Sequence, residues 1–532
     1  MIDLKTQFVP YEATGYFSKM ITDYIADNPM LQPFYEHPVS IEGVKAAIEQ
    51  RKLFATDRTL LVEIINKQYE NIALTAKQKK YISQLATTNT FTICTAHQPN
   101  IFTGHLYFIY KILHAVKLAE ELQTKLPENN FVPVFYMGSE DADLEELGHI
   151  FIDGERYKWV TTQTGAVGRM KVDKALVQLM ETISGQLLVY PFGKEIITLI
   201  KNCYKLGATI EQATFKLVNE LFAEYGLLIL LPDSPAVKKA FSPVIKKELL
   251  EGFSHIAVKA TVAQFPAIYK VQASGREINL FYLLDDKRQR IEQTGADFLV
   301  VNTALKFTKE EMLAELNNYP ERFSPNVILR PVLQETILPD ITFIGGGGEV
   351  AYWLELKKVF EAVAVPYPML IVRNSFLFIS KELQAVTQKL QFSNTDLFKP
   401  ELELINRLVK RGSTLQLNVE KEKQQMLKLY QAIRKVAAHV DLTLQTHTDA
   451  LQTQALNKIT ALEKKILSAE KKKFAAQQRQ LQKLKMQLFP NNSLQERVAN
   501  LLPFYATGGK DFIETIYNNS TGLRQEFGII LQ

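Results

Sequence analysis

The chain has 532 residues, 46% of them hydrophobic and 22% charged. Those proportions support a sizeable core, exclude a disordered or collagen-like chain, and at roughly 100–200 residues per domain describe about three or four domain-sized units. The 62 basic and 57 acidic residues leave a net charge of +5, too small to point to nucleic acid, and only two cysteines, Cys94 and Cys203, exclude a disulfide framework and suit a reducing cytoplasm.

Residues 1–90 read as a helical lead-in, with apolar residues at mixed three- and four-residue spacing in Ile41 to Ile48 and Leu60 to Tyr69. No secretory pattern is evident at Met1 to Pro10, and no run approaches the ~20 apolar residues that cross a bilayer. Phe91 to Thr95 reads as a buried strand. A helix from Thr103 to Leu126 follows, with Leu106, Ile109, Leu113 and Val116 as its apolar stripe. Phe131 to Met137 is a second buried strand. Strand, helix and strand make a βαβ unit, which implies a parallel sheet. The pattern recurs at Gly226 to Leu231. It recurs again from a strand at Asn326 to Val332, through a glycine run, to a helix Val350 to Val363 and a strand Tyr367 to Val372. Residues 91–380 therefore form an α/β core, interrupted by more irregular insertions at about 151–215 and 250–322.

Residues 381–490 read as helical. Residues 419–488 contain no Gly or Pro. Tyr430, Ile433, Ala437, Val440 and Leu444 make one heptad stretch; Ala455, Ile459, Leu462, Ile466 and Ala469 make another. A turn around Gln445 to Thr448 would close an antiparallel hairpin, with a register slip near Lys471 to Lys473. Lys458 to Lys485 holds nine basic and two acidic residues, which reads as a solvated helix face. The tail, residues 491–532, lacks heptads and is expected to pack back on the core.

Three stretches carry candidate chemistry. The first is Thr95, His97, Gln98, Asn100, Thr103, Gly104 and His105, between a strand end and a helix start, where ligands of parallel sheets bind. Bare N–H groups there suit phosphate, with Thr103 as N-cap and Gly104 allowing close approach; the alternative is a capped helix with a surface histidine. The second is Ser139, Glu140, Asp141 and Asp143, carboxylates for Mg²⁺ or an amino group, or else an acidic N-cap for a helix starting near Leu144. The third is Gly345, Gly346, Gly347, Gly348 and Glu349, followed by Tyr352: either an anion cradle before a helix or a flexible turn. Arg330 and Gln334 lie near one strand end and Arg373 near another.

These motifs, in this order and ahead of a coiled coil, resemble the cysteine ligase (cysteine-adding enzyme) family of bacillithiol biosynthesis. The matching stretches are TAHQPNIFTGHLYFIYKILHAVKLAEEL, VPVFYMGSEDADLEELGHI, GLLILLPDSP, NVILRPVLQETILPDITFIGGGGEVAYWLELKKVF and SLQERVANLLPFY. The resemblance implies a Rossmann-like, nucleotidyltransferase-type core with helical insertions and a coiled coil used in homodimerisation. It implies a ligase that adds L-cysteine to the amine of glucosaminyl malate, with ATP as activating cosubstrate and Mg²⁺ as its companion. His97 and His105 depart from the family pattern, where Gln and Pro are common. On this reading His97, His105, Glu140 and Asp141 are catalytic. Thr95, Thr103, Gly104, Ser139 and the glycines 345–348 hold the nucleotide. Gln98, Asn100, Asp143, Arg330, Gln334, Glu349, Tyr352 and Arg373 hold the other substrates, and Lys111 is a further candidate. The competing expectations are a metal-dependent hydrolase using His97, His105, Asp141 and Asp143, and a non-catalytic coiled-coil scaffold.

Overall fold

The computed structural model describes residues 5–273 and 275–531. Its centre is a five-stranded parallel sheet: β1 (Thr90–His97), β2 (Asn130–Met137), β3 (Leu228–Leu230), β4 (Asp340–Gly345) and β5 (Met369–Val372). The strands lie in the order β5-β4-β1-β2-β3. Along β1, Phe91 and Ile93 enter one apolar cluster while Cys94 and Ala96 enter another. Alternation carries consecutive side chains to opposite faces, and a parallel sheet buries both. Between β1 and β2 runs α1 (Tyr107–Lys125), whose Ile109, Leu113 and Val116 are buried. Chain order runs outward from β1 to β3, then restarts on the other side of β1 with β4. The switch point therefore lies between the carboxyl ends of β1 and β4, where such sheets bind ligands.

Several elements differ from expectation. Asn326 to Val332 is not a strand; it leads into helix Arg330–Ile337, and the strand beside β1 is Asp340–Gly345. Pro331 at the first turn favours helix initiation, and periodicity cannot separate a short apolar helix from a strand. The helix expected over Val350 to Val363 is two, Gly347–Trp353 and Lys357–Ala362. At the break Glu355 turns inward and accepts Gln272 N and Ala273 N, each at 2.7 Å. The segments read as irregular are regular. Residues 151–215 include most of a β-hairpin and helices Lys174–Leu187 and Gly193–Cys203. Residues 250–322 contribute four strands to a five-stranded antiparallel sheet completed by Phe323–Pro325.

The helical lead-in begins with a strand, Lys5–Val9, paired with Phe527–Leu531, which in turn pairs with Ser375–Ile379. Both ends of the described chain thus meet in one small sheet. Further along, Glu420–Val440 and Leu444–Lys471 form an antiparallel hairpin tied by Lys423–Glu463 (2.6 Å) and Arg434–Asp449 (3.0 Å). Its turn falls at Asp441 to Thr443, not Gln445 to Thr448, because Asp441 Oδ1 accepts the Thr443 backbone N–H at 2.8 Å and closes the chain there. A 3₁₀ turn, Lys472–Phe474, interrupts the second helix where the heptads slip. Among the described residues no helix is long and apolar enough to cross a membrane.

Candidate active site

A cavity of about 830 Å³ opens at the switch point. From the end of β1 come His97 and Gln98; from the start of α1, Tyr107 and Lys111; from beyond β2, Glu140 and Asp141. The far wall is Gly346 to Glu349 with Tyr352, and Arg330 and Arg373 face inward beside them. His105 sits at one corner. Six Lys or Arg side chains and four carboxylates line this space, so its balance suits an anionic ligand.

Both histidines are neutral acceptors or donors rather than cations. Burial holds His97 well below the usual imidazole range, reinforced by the positive charges of Lys111 and Arg373. Its Nε2 is buried without a hydrogen-bond partner among the described residues. Burial also lowers His105. Its Nδ1 donates to Val498 O at 3.2 Å, since a carbonyl only accepts, which leaves Nε2 as the lone-pair nitrogen.

The cations are held in place. Lys111 pairs with Glu349 and donates to Ala96 O at 2.9 Å. Glu349 in turn accepts Gly346 N at 2.7 Å, so one carboxylate fixes both the lysine and the glycine run. Arg330 donates to Gln334 Oε1 and to Tyr352 OH, each at 3.1 Å. Arg373 pairs with Glu496 at 2.7 Å, yet its buried Nε has no acceptor among the described residues. Glu140 pairs with Lys238, which is fully buried, and accepts Ser324 Oγ at 3.2 Å. Burial raises its carboxyl pKa while Lys238 opposes the shift.

Other predicted site residues lie behind the wall. Thr95 donates to Ile344 O at 2.8 Å and ties β1 to β4. Thr103 is not the N-cap of α1; it is buried in a turn at φ 70°, and the helix starts at Tyr107. Gly104 does not admit a ligand. At φ 62°, a Cβ there would meet Asn100 Cβ at 2.7 Å, so the turn demands glycine for its own packing. Asn100 and Ser139 are likewise buried, and Gln334 spends its amide on Glu335 at 2.9 Å. Asp143 is the N-cap of helix Leu144–Leu147, accepting Glu146 N at 3.0 Å. Gly345 precedes the exposed part of the run and accepts Arg373 N at 2.8 Å. None of glycines 345–348 has positive φ, so the run supplies open backbone rather than a left-handed turn.

Arg276, Arg288 and Arg497 line the site and Lys238 braces it through Glu140; of these only Arg497 lies in a stretch singled out in the sequence, SLQERVANLLPFY, and it is not among the expected site residues. They come from a helix after β3, from the antiparallel-sheet segment and from the C-terminal tail. Their signal is spatial, since they come from separate stretches of the chain. Among the described residues no three His, Cys, Asp or Glu side chains form a metal cage.

The model for the N-terminal Rossmann-like domain of bacillithiol biosynthesis BshC matches residues 4–374, and the model for its C-terminal coiled-coil domain matches residues 376–532. A protein of Flavobacterium johnsoniae named "Putative cysteine ligase BshC" is 37% identical over 99% of this chain and 100% of its own. Proteins of the same name from Flavobacterium psychrophilum and Christiangramia forsetii are 38% and 36% identical, each over 99% of both chains.

Proposed function

The chain belongs to the BshC family of bacillithiol biosynthesis, and from that premise we propose that it is a cysteine ligase acting on glucosaminyl malate with ATP. The supporting observation is the cation-rich cavity at the sheet's switch point, walled by both motif loops. A carboxylate does not acylate an amine at neutral pH, so it needs activation. The cysteine carboxylate attacks the α-phosphate of ATP, pyrophosphate leaves, and cysteinyl adenylate forms. The amine of glucosaminyl malate then attacks the acyl carbon; the acyl–phosphate bond breaks, AMP leaves, and the amine gives up a proton.

Each step asks something of this chain. The cavity-lining backbone of Gly346 to Gly348, open at Gly348, suits the nucleotide phosphates, with Lys111 adding charge. Asp141, held by Gln98 Nε2 at 3.1 Å, suits the cysteine ammonium or, with phosphate oxygens, Mg²⁺. Bound Mg²⁺ would neutralise phosphate charge. Neutral His105, with Nε2 unprotonated, suits removal of the amine proton. Arg330, braced by Gln334 and Tyr352, suits a malyl carboxylate. Thr95, Thr103, Gly104, Asn100, Ser139 and Asp143 act by shaping the loops. The coiled-coil hairpin serves homodimerisation, and the chain works in the cytoplasm.

Purified protein given cysteine, glucosaminyl malate, ATP and Mg²⁺ is expected to form bacillithiol with one AMP per product, read by mass spectrometry. Absence of product together with absence of cysteine-dependent ATP–pyrophosphate exchange would overturn the proposal.

A further inference from the structure

The C-terminal tail reaches the cavity at a corner where positive charge is left unanswered. Its Gln495–Arg497 turn is pinned on both sides. Gln495 Oε1 accepts Phe378 N at 3.0 Å, and Asn500 Nδ2 donates to Phe102 O at 3.0 Å. Glu496, fully buried, is spent on Arg373, on Ser375 Oγ (3.1 Å) and on Phe376 N (3.2 Å). Arg497, between these anchors, lines the cavity together with His105, Tyr107 and Arg373. Its guanidinium makes no hydrogen bond or ion pair among the described residues, and Arg373 Nε, buried nearby, also lacks an acceptor. Arg373 takes the Glu496 carboxylate, whose oxygens are already engaged, and Arg497 is left with no carboxylate partner among the described residues. A fixed backbone holding a free guanidinium beside an orphaned donor is an arrangement that a ligand oxyanion completes.

We infer that Arg497 is a substrate-binding residue that, with Arg373 Nε, receives an anionic oxygen group of a substrate. The inference rests on the ligase reading, under which that group has three sources: the malyl carboxylates of the acceptor, the phosphates of the nucleotide and the carboxylate of cysteine. Arg497 is solvent-facing, so its replacement leaves the fold intact, which a thermal melt verifies.

The test is Arg497→Gln and Arg497→Lys in the full-length protein, with KM measured separately for glucosaminyl malate, ATP and cysteine. Arg497→Gln is expected to raise one KM about tenfold or more, with Lys recovering part of it, because a point charge does not reproduce a bidentate fork. A rise confined to glucosaminyl malate, absent with methyl glucosaminide as acceptor, assigns the malyl carboxylate; a rise confined to ATP assigns the phosphate, and one confined to cysteine assigns the cysteine carboxylate. All three KM values within twofold of wild type would overturn the inference. Titration calorimetry with glucosaminyl malate and with ATP on both proteins tests the same contact without turnover, so failure of the ligase reading leaves this result readable.

Discussion

Lys238 has no exposed surface, and its ammonium lies between the Glu140 carboxylate and Phe323 O at 2.8 Å. Removing one member of a buried pair strands the other's charge, at a cost of about 3–5 kcal/mol. Lys238→Met is therefore expected to lower the unfolding free energy by about that much, and Lys238→Met with Glu140→Gln to recover a good part of it. Denaturant titration of the two variants checks this; equal losses would show that the charge pair is not what matters. His114 makes a pH prediction. Its Nε2 donates to Gly522 O at 2.7 Å and its Nδ1 accepts Asn374 N at 3.0 Å, so the neutral ring is the bonded form. Burial is the main cause that brings its pKa from 6.5 down to about 4. The unfolded chain then binds the proton more readily than the folded one. Stability is full above pH 6.5 and falls as the pH drops toward 4, by about 3 kcal/mol from this residue at 1.36 kcal/mol per unit. In His114→Gln, the loss of stability between pH 7 and pH 4.5 should shrink, whatever the variant's stability at pH 7.

At the scale of elements, the glycine-run helix Gly347–Trp353 separates stability from function. A Cβ on Gly348 meets nothing within 4 Å, and its φ is not positive. Gly348→Ala is expected to stabilise the helix by about 0.4–1 kcal/mol, by restricting the unfolded chain. The methyl group would at the same time stand beside the open backbone, so KM for ATP should rise; a stabilised variant with unchanged KM would argue against nucleotide contact there. The first βαβ unit and the antiparallel helical hairpin were readable in the sequence because their signals are periodic and local. The strand Asp340–Gly345 was not, because Asp340 and Thr342 break its apolar run and the preceding Val332, Leu333 and Ile337 mimic a strand. Among site residues, those on the strand-end loops were readable as motifs. Whether each faces the cavity was not: Asn100 and Asp143 look as available as Gln98 and Asp141 until the fold sets their directions. Lys238 gave no signal, and Arg497, though within the SLQERVANLLPFY stretch, gave none of its place at the cavity, because only tertiary contact brings them to the loops.

For the whole molecule, the hairpin raises the question of what covers it. Of the first heptad stretch, Tyr430 and Ala437 are half-buried in the seam with Leu444–Lys471, whereas Ile433, Val440 and Leu444 are 45%, 79% and 39% exposed, so the stretch marks the contact face only in part. Yet helix Glu420–Val440 buries no residue fully, and Leu429 and Val436, seven residues apart on its other face, are 57% and 68% exposed. A two-helix hairpin has no interior for them; a second hairpin packed against that face supplies one, as in antiparallel four-helix assemblies. For the homodimer proposed above, Leu429→Glu with Val436→Glu is expected to convert dimer to monomer in light scattering. Because neither side chain is buried within the chain, the core's melting temperature should change by no more than about 2 °C, which corresponds to the small effect of surface substitution. A dimer unaffected by both glutamates would place the interface elsewhere. Loss of the dimer with retained ligase turnover would show that each chain carries a complete active site, as expected when Arg497, Arg373 and His105 all come from one chain.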